Sequence, residues 1–82
     1  MTNEEYEKRV EKGNINLNEL KIVIGMVSNV PFTTGCFKEG CLWKIYMVGE
    51  RQDLDIVQQG TEEEIFDVMY SITESRRKLS SI

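Results

Sequence analysis

Apolar and polar positions divide this chain into six stretches. Residues 2–12 (TNEEYEKRVEK) carry only Tyr6 and Val10 as an apolar stripe among charges. The spacing predicts a helix that docks lightly on the rest of the fold. Thr2 followed by Glu5 reads as a capping box, and Gly13 and Asn14 as stop residues. Glu4 with Lys8, and Glu5 with Arg9, are favourable pairs one helical turn apart.

Residues 19–27 (ELKIVIGMV) fit two periods. Leu20, Ile22, Ile24 and Met26 alternate as in a strand, whereas Leu20, Val23, Ile24 and Val27 also make a helical stripe. The β-branched run and Gly25 weaken a helix, so a strand is expected. Pro31 breaks the chain, and 32–37 (FTTGCF) suit a short strand. A turn at 38–40 (KEG) leads into 41–48 (CLWKIYMV), the strongest strand pattern in the sequence. A polar connection, 49–53 (GERQD), precedes a shorter strand at 54–58 (LDIVQ).

The last element is a helix over 62–78. Thr61 and Glu64 form a second capping box, and Ile65, Phe66, Met69, Ile72 and Leu79 share one face. Acids crowd its start, and Arg76, Arg77 and Lys78 its end, as the helix dipole favours.

These elements imply a single α+β domain over 1–82: helix, four-stranded antiparallel meander, helix, with both helices on one face of the sheet. Antiparallel strands are expected because every connection is short, and parallel neighbours ordinarily need a longer crossover. The expected inward set is Leu20, Ile22, Ile24, Met26, Trp43, Ile45, Met47, Leu54 and Ile56. The expected outward set is Lys21, Val23, Val27, Lys44, Tyr46, Val48, Asp55 and Val57. That outward face is either ordinary valine-tolerant sheet surface or an apolar centre with a charged rim, as at protein interfaces.

Charge and composition narrow the function. Fourteen acidic against ten basic residues give a net charge of −4, which disfavours nucleic acid as a ligand. The first residues are charged and no run is long enough to span a bilayer, so no membrane association and a cytoplasmic location are expected. Histidine is absent, and neither phosphate-binding loops nor a nucleophile elbow occurs. The expectation is a protein that is not an enzyme and holds no metal and no cofactor. The two cysteines, Cys36 and Cys41, are expected to be free thiols.

The sequence resembles the small immunity proteins encoded beside bacterial polymorphic toxins. The resemblance rests on the helix ending EKGNI, on LWKIYMVGER with Trp43, Ile45, Tyr46, Glu50 and Arg51, and on TEEEIFDVMY with its acidic start at 61–66. Residues 28–41, with a proline and two cysteines, depart from that pattern. The resemblance implies binding and neutralisation of a cognate protein toxin by occlusion of a functional surface. Surface reasoning offers Tyr46 and Arg51 as anchors, with Glu50, Asp53 and Asp55 as charged neighbours. The alternative is a small regulatory or adaptor protein, homodimeric through its sheet.

Overall fold

The computed structural model describes residues 1–80. The order is α1 (Asn3–Lys12), β1 (Ile22–Ile24), β2 (Thr34–Glu39), β3 (Leu42–Val48), β4 (Leu54–Gly60) and α2 (Glu62–Ser80). The chain is thus α+β, a helix, a four-stranded sheet and a second helix. The strands lie side by side in sequence order, β1-β2-β3-β4.

Both helix starts close as their sequences dictate. Thr2 Oγ1 accepts from the Glu5 amide at 3.2 Å, and Glu5 Oε1 accepts from the Thr2 amide at 3.3 Å. Thr61 and Glu64 repeat the exchange at 3.3 and 3.4 Å. Each exchange satisfies amides that the first helical turn leaves without partners.

Both helices cover the sheet face that carries Trp43 and Ile45. The core joins Tyr6 of α1, Ile65, Phe66 and Met69 of α2, and Ile22, Cys36, Trp43 and Ile45 of the sheet. Trp43 meets Phe66 edge-on with ring centroids 4.9 Å apart, and Tyr6 lies 5.5 Å from Phe66. The buried Tyr6 hydroxyl shares a 2.7 Å hydrogen bond with Thr73, which in turn donates to the Met69 carbonyl at 2.8 Å. One tyrosine therefore docks the lightly apolar α1 onto α2.

The first strand corrects the expectation for 19–27. Only Ile22–Ile24 are extended, and they run parallel to β2, with Ile22 beside Thr34 and Ile24 beside Cys36. The sheet is mixed, not a pure antiparallel meander; β2 with β3, and β3 with β4, are antiparallel. Gly25 explains the early stop: its amide makes a last bond to the Cys36 carbonyl at 2.8 Å, and its φ of +85° turns the chain off the edge. A nine-residue return over 25–33 suffices because the parallel ladder is only three residues long, a span of about 10 Å.

The hairpin register corrects the inward set. The connection 49–53 places Leu54 opposite Val48 and Ile56 opposite Tyr46. Leu54 and Ile56 therefore share the Tyr46 face, while Asp55 lies opposite Met47 on the helix-bearing side. The register then slips, so that Ile45 faces Gln58 and Val57 is left without a partner on β3. Such a bulge bends the strand and increases its twist. Met26, Met47, Leu54 and Ile56, all expected inside, are exposed, and Val48, expected outside, is buried.

Candidate docking edge at β4

Tyr46 is the largest departure from the sequence reading. It faces away from the helices as expected, yet its exposure is 0%. The return segment 25–33 covers it. The Tyr46 hydroxyl donates to the Met26 carbonyl at 2.8 Å and accepts from the Ser28 amide at 3.0 Å. The Phe37 ring lies 5.9 Å away on the same side. Burial pushes the phenol above its ordinary ionisation range, opposed by the Ser28 hydrogen bond. A side chain so enclosed offers no surface to a partner, so the Tyr46 anchor is withdrawn: it clamps the crossover instead.

The other four site candidates stay together and exposed. Glu50, Arg51 and Asp53 occupy the β3–β4 turn, and Asp55 is the second residue of β4. The turn is closed by the Gly49 amide on the Asp53 carbonyl at 2.8 Å and by the Gln52 amide on the Gly49 carbonyl at 3.0 Å. Gln52 takes a φ of +66°, which completes the reversal. A short hydrogen-bonded loop thus presents two acids and one arginine beside the start of an edge strand, and Asp55 of that strand adds a third acid.

β4 itself carries the signal that the sequence reading missed. Every residue from Leu54 to Gln59 is exposed, with Val57 at 51% and Ile56 at 45%. Among the described residues, the strand has β3 on one side and no strand on the other. Beyond it, α2 opens with Glu62, Glu63 and Glu64; Glu62 accepts from the Asn3 amide at 2.9 Å, and Glu63 and Glu64 are exposed. Lys44, which pairs across from Gln59, is engaged by Glu39 of β2 at 3.5 Å. Apolar side chains are therefore bracketed by acids at both ends of the strand. The alternation in LDIVQ shows a strand, but which strand lies at the edge is a property of the sheet order.

An open groove of about 230 Å³ lies elsewhere, lined by Phe32, Thr33, Thr34, Met47, Val48 and Arg76. Arg76 donates to the Leu20 carbonyl at 3.0 Å and the Lys21 carbonyl at 3.2 Å, and also to Thr34 Oγ1. These bonds join the end of α2 to the entries of β1 and β2. Burial lowers the Arg76 pKa from its ordinary value.

Cys36 is buried and its thiol pKa is pushed up to about 11 by desolvation, while Cys41 is exposed; both are free. Among the described residues, no cluster of three or more histidine, cysteine, aspartate or glutamate side chains could hold a metal ion. No helix among them is long and apolar enough to cross a membrane. No family model matches the chain, and neither a curated protein nor a solved structure shows significant similarity to it.

Proposed function

We propose that the chain is a protein-binding inhibitor of the immunity type its sequence resembles, acting in the cytoplasm by covering a functional surface of a cognate toxin. The observation that carries this reading is β4: an edge strand exposed from Leu54 to Gln59, with Leu54, Ile56 and Val57 set between acidic groups. Apolar side chains within a charged rim supply contact area at the centre and steering at the border. Glu50, Asp53 and Asp55 favour a basic target, and Arg51 supplies a planar fork for one carboxylate on it.

The test is co-expression with the product of the neighbouring reading frame. The expected result is a complex of the two chains and loss of that product's toxicity. Arg51→Ala should weaken the complex at least tenfold while leaving the fold intact, and association should slow as salt rises. A non-toxic neighbour, or no complex with it, would overturn the reading. A homodimer without such a partner would favour the adaptor alternative.

A further inference from the structure

We infer that the free edge of β4 takes up an extended, lysine- or arginine-bearing segment of a partner protein as a fifth strand. The inference rests on the protein-binding reading above and adds the mode of contact and the chemistry of the occupant.

The two edges of the sheet differ. β1 is three residues long, with Lys21 immediately before it and Gly25 immediately after, so it offers almost no ladder. β4 is seven residues long and contains neither proline nor lysine. Those are the residues and the shortness by which proteins ordinarily close an edge against further pairing. What β4 has instead is one bulge at Val57 and one charge at Asp55. Among the described residues, the run from Leu54 through Gln59 stands open to solvent, every one of its residues being exposed. A row of backbone amides and carbonyls therefore faces water along about half of the strand's hydrogen-bonding groups.

Charge decides between occupants. A second copy pairing antiparallel would bring the turn acids Glu50 and Asp53 towards Glu63 and Glu64 of the other chain. Parallel pairing would set Asp55 and the turn acids beside their own equivalents. Either orientation places acid against acid, with Arg51 as the lone cation of the turn. Like charges opposite one another in a ladder are destabilising. An incoming strand with lysine or arginine near both ends and apolar residues between them meets the opposite field at each end. Backbone bonds would supply affinity, and Leu54, Ile56 and Val57 the side-chain selection.

The test uses the full chain and a capped peptide in which lysine and threonine alternate with valine, read by amide NMR and hydrogen exchange. The expected result is shifts and slowed exchange confined to Leu54–Gly60 and the adjoining turn. A peptide with glutamate in place of lysine should bind at least tenfold more weakly. N-methylation along one peptide edge should leave binding, and along both edges abolish it. Asp55→Lys should weaken binding at least tenfold with an unchanged amide spectrum elsewhere. Failure of the peptide to bind overturns the inference, as do equal binding of the doubly N-methylated peptide and a β4-paired homodimer of the chain alone. A toxin complex whose β4 amides exchange as in the free chain overturns strand addition and leaves the immunity reading standing. Peptide pairing without a toxin complex does the reverse.

Discussion

Gly35 lies directly under Tyr46: a β-carbon at position 35 would sit 2.5 Å from the tyrosine hydroxyl and 2.5 Å from the Val23 carbonyl oxygen. The two residues are cross-strand partners in β2 and β3. The missing side chain of one is what lets the ring of the other cross the strand and reach 26–28. Gly35→Ala is expected to destabilise the fold by about 3 kcal/mol, the scale of severe overpacking. Urea denaturation measures it. Adding Tyr46→Phe should not restore stability, because the Val23 carbonyl still blocks the new methyl.

Tyr46→Phe alone keeps the ring and leaves the Met26 carbonyl and Ser28 amide without their partner. The expected cost is about 1–2 kcal/mol. Hydrogen exchange should speed up first at the Ser28 amide, which would separate a loosened crossover from a weakened core. Unchanged protection there would mean that the hydroxyl does not clamp the segment.

Trp43 and Phe66 are the contact through which α2 closes the sheet, at 4.9 Å between centroids. Either residue changed to Ala should cost about 3–5 kcal/mol. In a chain of 82 residues that is a large part of the whole stability. Calorimetry should show a broad or absent transition for both variants, whereas Val57→Thr on the exposed edge should shift the midpoint little.

Alkaline stability follows from Cys36. Its folded pKa of about 11 stands above the ordinary thiol value of 9.0 because burial disfavours the thiolate. In the unfolded chain the thiol therefore loses its proton first. Stability should hold below pH 9 and fall as pH rises towards 11, by at most about 3 kcal/mol from this group. Tyr6 and Tyr46, also raised chiefly by burial, add in the same direction above pH 10. Cys36→Ala should flatten the fall between pH 9 and 10.5, and a thiol reagent at pH 8 should label Cys41 alone until the protein unfolds.

Arg76 holds the carbonyls of Leu20 and Lys21 and the hydroxyl of Thr34. Charge-assisted bonds of this kind contribute about 1.5–3 kcal/mol. Arg76→Gln should lose most of that and raise exchange at the β1 entry. Lys38→Gln, an exposed residue on β2, is the control expected to change stability by less than about 0.5 kcal/mol.

Much of the fold is legible in the amino-acid sequence. Thr2 with Glu5 and Thr61 with Glu64 marked both helix starts, because capping is local chemistry within four residues. Strands at 41–48 and 54–58 were legible from their β-branched and aromatic content, and they form as Leu42–Val48 and Leu54–Gly60. At the candidate docking edge, Glu50, Arg51 and Asp53 were legible as exposed because a polar five-residue connection has nowhere else to go; Asp55 is exposed too, but on the face opposite to the expected one. Tyr46 was not, since its cover comes from residues about twenty positions earlier in the chain. Nor was Ile56, whose face depends on the hairpin register and not on its own alternation.

The amino-acid sequence by itself determined the local elements: the two capped helices, the strands of the second hairpin, the acidic charge and the exposed turn. Each follows from interactions between residues close in the chain. Only the tertiary structure decided that β1 is short and parallel, that 25–33 folds over Tyr46 against Gly35, and that β4 is an edge. Those facts depend on contacts between distant residues and on which strands stand side by side. Periodicity within one segment carries no record of either.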